Sequence, residues 1–264
     1  MKKLLLAFTC LALSALPAAA KKDTGFLNRT LNLNGAVHRY QVYVPMDWTK
    51  SQRWPVILFL HGAGERGDNG LAQTQVGIGG SIRFHPERWP AVVVMPQCPR
   101  DKRWTTPEVI EVALAALEAA TKEFKGDRTR TYLTGLSMGG YGTFAIGAKH
   151  AARFAALVPI CGGVRLPRRP NQPPPPEPEG DPYESTARGI GKTPIWIFHG
   201  AADPTVPVTE SQKMVEAIKA AGGDPNYTEY PGVGHNSWDR AYGEEELPKW
   251  LFSQKLAAPP NKSR

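Results

Sequence analysis

RTYLTGLSMGGYGTFAIGAKH, residues Arg130–His150, carries three signals in succession. Thr131–Thr134 is a short strand-forming run. Gly135-Leu136-Ser137-Met138-Gly139 follows it, a G-x-S-x-G. Small residues with Tyr141, Phe144, Ala145 and Ala148 then continue as a helix. Strand, tight turn, serine and helix form the layout of a nucleophile elbow, in which the serine sits at the tip of a strained turn and its hydroxyl stands clear of the sheet edge. That geometry sets the residue types. Gly135 and Gly139 stand where a Cβ would strike a neighbouring strand or helix, and Gly140 and Gly142 where the helix must lie close to the sheet. The start of the helix directs N–H groups and a partial positive charge at the reacting centre. A lone G-x-S-x-G says little in a chain with 26 glycines; the strand before it and the helix after it make the motif specific.

Working outward, the chain alternates strands with helices. Leu27–Leu33 and Val37–Val44 alternate apolar and polar residues around Asn34-Gly35, which predicts a hairpin. Pro55–Leu60 and Ala91–Met95 are continuous apolar runs, as strands buried on both faces are. Between them lies the polar, glycine-rich loop His61–Asn69. Thr105-Thr106-Pro107 opens a helix that runs through Phe124, with threonine as a cap and proline in the first turn. After the elbow come strands at Phe154–Ile160, Pro194–Phe198 and Asn226–Tyr230, and helices at Val208–Ala221 and Trp250–Leu256. Residues 166–182 (LPRRPNQPPPPEPEGDP) are too rich in proline for helix or inner strand and read as an extended surface insertion. Two antiparallel strands followed by alternating strands and helices predict an α/β protein, a mainly parallel sheet with helices on both faces.

The length of 264 residues suits one α/β domain, expected over residues 21–264. Residues 1–20 read as a signal peptide. Lys2 and Lys3 are a positive start, Leu4–Leu16 is apolar, and Pro17-Ala18-Ala19-Ala20 offers a small-residue cleavage site. The apolar run is shorter than the ~20 residues of a membrane span. The expectation is an exported, periplasmic or secreted protein without stable membrane insertion. The formal net charge of +8 permits weak attraction to acidic surfaces. Its basic residues are scattered rather than interleaved with stacking aromatics, so nucleic acid is not an expected partner. Past the signal segment two cysteines remain, Cys98 and Cys161. A disulfide between them is disfavoured, because each follows a different inner strand. Their spacing is not that of a structural zinc site, and neither metal nor cofactor is expected.

A serine hydroxyl needs a base to take its proton. Downstream of Ser137 stand His150, His199 and His235. His150 ends the elbow helix and faces away. His199 ends a strand and precedes the candidate acid. His235 lies in Pro231–Trp238, a flexible loop after the last strand, and is the expected base. Asp203, in the turn Gly200–Pro207 after a buried strand, is the expected carboxylate that orients the imidazole and offsets its charge. The oxyanion requires two backbone donors: the N–H of Met138, after the nucleophile, and that of Ala63 in the His61-Gly62-Ala63-Gly64 loop. His61 is expected to brace that loop. Trp104, Tyr141 and Trp238 fall near the same edge and either line a substrate pocket or pack in the core.

LHGAGERGDN, GLSMGGYGTF, DPTVPV and YPGVGHNSWDRAY together resemble secreted bacterial α/β-hydrolases of the carboxylesterase, feruloyl-esterase-like and predicted-peptidase groups, similar in turn to dienelactone hydrolases and prolyl-oligopeptidase catalytic domains. The resemblance spans roughly residues 25–256. It implies an α/β-hydrolase fold with an eight-stranded sheet and no large cap, and a Ser137-Asp203-His235 triad. It implies a serine carboxylic-ester hydrolase acting on small, aryl or acetyl esters such as those on plant polysaccharides. A serine peptidase or amidase with the same triad, and a non-catalytic cell-surface binding protein on the same scaffold, are the competing readings. Oligomeric state is left open.

Overall fold

The computed structural model describes residues 23–166 and 179–257. The expected signal peptide and most of the proline-rich insertion fall outside those residues. The predicted hairpin is present as β1 (Gly25–Leu33) and β2 (Ala36–Val44), paired antiparallel from Gly25↔Val44 to Leu33↔Ala36. Asn34 and Gly35 take φ of 51° and 77° at its tip, the left-handed pair that a tight two-residue hairpin turn demands. The inner strands follow: β3 (Trp54–Leu60), β4 (Val92–Pro96), β5 (Gly126–Leu136), β6 (Ala156–Ile160), β7 (Trp196–Gly200) and β8 (Asn226–Tyr230). They form one eight-stranded sheet in the order β1-β2-β4-β3-β5-β6-β7-β8. The β1–β2 and β2–β4 pairings are antiparallel, and every other pairing is parallel. This is the expected α/β-hydrolase architecture.

Helices cover both faces. They are α1 (Ile78–Phe84), α2 (Pro107–Glu123), α3 (Met138–His150), α4 (Pro182–Ile190), α5 (Thr209–Ala220), α6 (Trp238–Gly243) and α7 (Glu246–Ser253). The two-residue period of a strand divides β3 between two cores. Val56, Leu58 and Leu60 pack with α2, α3, α4 and α5, while Ile57 and Phe59 pack with α1, α6 and α7. All five are fully buried, which explains an uninterrupted apolar run where a half-exposed strand would alternate.

Four helices depart from the sequence-based expectation; one is the short α6, where no helix was expected before the last one. α1 lies in IGGSIRF, whose adjacent glycines weaken helix propensity; burial of Ile78 and Ile82 against the second core supplies what propensity lacks. α4 begins inside the stretch expected to be extended. Asp181 caps it by accepting from the Tyr183 N–H at 2.8 Å, and Pro182 occupies its first turn. The last helix starts at Glu246 rather than Trp250 and ends at Ser253, with Pro248 in its first turn, where a missing N–H leaves no bond unmade. Cys98 and Cys161 are both free and buried. No helix among the described residues is long and apolar enough to cross a membrane.

Candidate active site

The elbow is built as its glycines require. Ser137 joins β5 to α3 with φ 53° and ψ −116°. Its N–H donates to Ile160 O at 2.9 Å, which ties the turn to the end of β6. A Cβ on Gly139 would fall 1.9 Å from Leu60 O, and one on Gly135 2.4 Å from Gly139 O. The first turn of α3 therefore rests directly on the exit of β3. Gly140 meets the backbone of Gly162, and Gly142 meets the Trp104 side chain.

Ser137, His235 and Asp203 come together at the rim formed by the C-terminal ends of β5, β8 and β7. His235 Nδ1 lies 2.7 Å from Asp203 Oδ2, and His235 Nε2 lies 2.8 Å from Ser137 Oγ. A carboxylate only accepts, so Nδ1 carries the proton and Nε2 is left to accept from the serine hydroxyl. The Asp203 carboxylate is wholly buried, while about a fifth of the imidazole (21%) remains exposed. Burial by itself pushes the Asp203 carboxyl upward. Hydrogen bonds from His199, His235 and the backbone N–H groups of Val206 and Thr205 outweigh it and hold the group well below the usual carboxylate range. The carboxylate is thus favoured in its ionised form, able to accept from the imidazole N–H. Trp238 stands edge-on to His235, ring centroids 5.4 Å apart at 90°, and limits the tilt of the imidazole.

Met138 is the first residue of α3, so its N–H belongs to the helix-start donors that no preceding turn can satisfy. Ala63 is exposed in the loop after β3, and its carbonyl accepts from Arg66 Nε at 3.0 Å. The contact of Gly139 with Leu60 and His61 backbone brings this loop and the helix start side by side. His61 is fully buried beneath the loop. Its Nε2 accepts the Cys98 N–H at 2.9 Å, so Nδ1 bears the proton and donates to Gly62 O at 2.6 Å. Burial lowers its pKa to about 4 and keeps the ring neutral.

The three aromatic candidates separate. Trp104 is 1% exposed, donates Nε1–H to His61 O at 2.8 Å and stacks edge-on against the His61 ring. It holds the loop from below rather than facing an open pocket. Tyr141 is also buried, and its hydroxyl has no hydrogen-bond partner among the described residues. Trp238 alone of the three has a partly open ring. One neighbour went unread in the sequence. Cys161, at φ 39° after β6, offers its Sγ within 4.8 Å of ligand atoms of Asp203 and His235. Those two groups already spend their facing atoms on each other, and burial pushes the thiol up to about 12. A metal would need that thiolate, so the trio reads as a hydrogen-bonded dyad beside an inert thiol.

Comparison with known proteins agrees with this architecture. A family model for the dienelactone hydrolase family matches residues 97–243. Acyl-protein thioesterase 1 of Gibberella zeae is 34% identical over 70 residues, 26% of this chain and 28% of that protein. A solved thermostable esterase superposes with a TM-score of 0.73 at 32% identity, over 87% of this chain and 63% of its own. A ferulic acid esterase superposes with a TM-score of 0.65 at 17% identity, over 86% of this chain and 97% of its own, and shares the fold. The chain thus spans less than two thirds of the thioesterase and of the thermostable esterase.

Proposed function

Because the chain belongs to the dienelactone hydrolase family, we propose that it is a serine hydrolase of the esterase type, working through an acyl-enzyme. Ser137 Oγ attacks the ester carbonyl as His235 Nε2 takes its proton. Asp203 holds the imidazole in the Nδ1–H tautomer and offsets its charge when both nitrogens are protonated. The N–H groups of Met138 and Ala63 stabilise the oxyanion. His235 then passes its proton to the leaving alcohol, and a water activated in the same way releases the acid and restores Ser137.

The observation that carries this reading is the continuous line from Ser137 Oγ through His235 to Asp203, at 2.8 and 2.7 Å. The substrates it favours are small, aryl or acetyl esters, including those attached to polysaccharide. In the same reading residues 1–20 direct export, which places the enzyme where such polymers are met. The test is hydrolysis of a small aryl acetate, methyl ferulate and a matched anilide by the parent and by Ser137→Ala. Esters should turn over well ahead of the amide, and Ser137→Ala should lose about 10⁶-fold in kcat. Retained ester hydrolysis by that variant removes Ser137 from the mechanism, and faster amide cleavage moves the protein to the amidases.

A further inference from the structure

Asp203 faces a second imidazole. His199, four positions before it at the end of β7, is fully buried. Its Nε2 lies 3.0 Å from Val206 O and 3.3 Å from Asp203 Oδ2. A carbonyl oxygen cannot donate, so Nε2 must carry the proton, which Val206 O and Asp203 Oδ2 share. Nδ1 lies 2.7 Å from Ser211 Oγ, itself fully buried on α5. The hydroxyl donates to Nδ1 and fixes the ring flip and the tautomer together. Asp203 Oδ1 meanwhile accepts from Thr205 N at 2.8 Å and Val206 N at 2.9 Å. Those bonds hold one oxygen. They leave the other to be aimed by the two imidazoles alone.

Resting on the triad reading above, we propose that His199 is a positioning residue for the reaction: locked by Ser211, it holds Asp203 Oδ2 in line with His235 Nδ1. An unbroken series of contacts then runs from α5 to the elbow, through Ser211, His199, Asp203 and His235 to Ser137. A carboxylate short of this donor can rotate about its Cβ–Cγ bond or draw in water. His235 then spends more of its time misaligned. The Asp203 carboxylate is wholly buried and out of reach of a bound substrate, so the loss belongs in kcat and leaves KM alone.

The experiment compares His199→Leu, His199→Gln and Ser211→Ala with the parent on a small aryl acetate, with kcat expressed per serine titrated by a fluorophosphonate so that misfolded molecules drop out. His199→Leu removes a donor to a charged acceptor and should lower kcat about 10- to 100-fold with KM within about twofold. His199→Gln can set an amide N–H where Nε2 stood and should recover to within about fivefold of the parent. Ser211→Ala frees only the ring and should lose less than His199→Leu. Should the leucine variant not fold, His199→Asn, too short to reach Oδ2, takes its place. A kcat per titrated site within about twofold of the parent for the donor-less variant, a loss confined to KM, or a glutamine variant no better than it overturns the proposal. Ser137→Ala, run alongside, reads the underlying mechanism separately. Turnover there overturns the triad itself, whereas a silent Ser137→Ala beside an unimpaired donor-less variant removes His199 alone.

Discussion

At Ser137 the backbone stands at φ 53° and ψ −116°, where a β-carbon is crowded and glycine is not. Such a residue stores about 1–3 kcal/mol, held by its surroundings. Ser137→Gly should therefore melt a few degrees above the parent although it has no nucleophile, and calorimetry showing a lower midpoint would remove the strain from this account. His61 stores energy differently. Burial, the largest influence, lowers its pKa from 6.5 to about 4, with Gly62 O opposing and Arg66 assisting. A folded-state pKa below the unfolded one gives stability that is complete above about 6.5 and is lost as pH falls toward about 4. Urea midpoints of the parent should drop across that window more than those of His61→Gln, which has no proton to gain. The convergence of Ser137, Asp203 and His235 was legible because each follows a strand and each is a residue type that the proposed chemistry needs. His199 was not: its Nε2 is aimed by the turn Gly200–Val206, and in sequence it is one more strand-end histidine. Trp104 was legible as an aromatic near the rim, but only packing shows that Gly142 and His61 enclose it.

Among the elements, those with a strong local pattern were readable and those stabilised by tertiary contacts were not. The hairpin, the buried strands, α2 and α5 follow from alternation, apolar runs and the Pro107 and Gly222-Gly223 boundary signals. The expected threonine cap of α2 is not made, since the Thr106 side chain has no bond to the helix start. α1 does not, because its two glycines oppose a helix. One of them, Gly79, sits so close to Thr74 O that a Cβ would lie 2.4 Å away. α4 was hidden by the prolines before it, although Asp181-Pro182 is itself a start signal. Its position next to α3 is equally tight, with a Cβ on Gly189 falling 2.5 Å from Ala148 O. Beyond its start, Tyr183 donates its hydroxyl to Glu210 Oε1 at 2.6 Å, and Glu210 Oε2 accepts from Val164 N at 2.9 Å. One carboxylate of α5 thus binds the segments that lead into and out of the proline-rich stretch. Asp181→Ala should lose about 1 kcal/mol through its cap, seen as a melting point lower by about 2–4 °C, with kcat per titrated serine unchanged.

For the whole molecule, the order of strands was read as a class and not as a register. Alternation of strands and helices predicts a parallel sheet. It does not say that β4 lies between β2 and β3, which depends on which apolar faces meet across two cores. The same topology decides what activity measures. Ser137 and His235 are 98 positions apart, and His235 and Asp203 are 32 apart. No local segment contains all three of these side chains. They meet only when β5, β7 and β8 have docked into one sheet, and such distant pairings form late. In a refolding experiment, recovery of ester cleavage should therefore lag behind the far-ultraviolet helical signal, and simultaneous recovery would contradict this assembly order. Turnover then works as a census of finished molecules: a half-docked chain, however rich in helix, is counted as nothing.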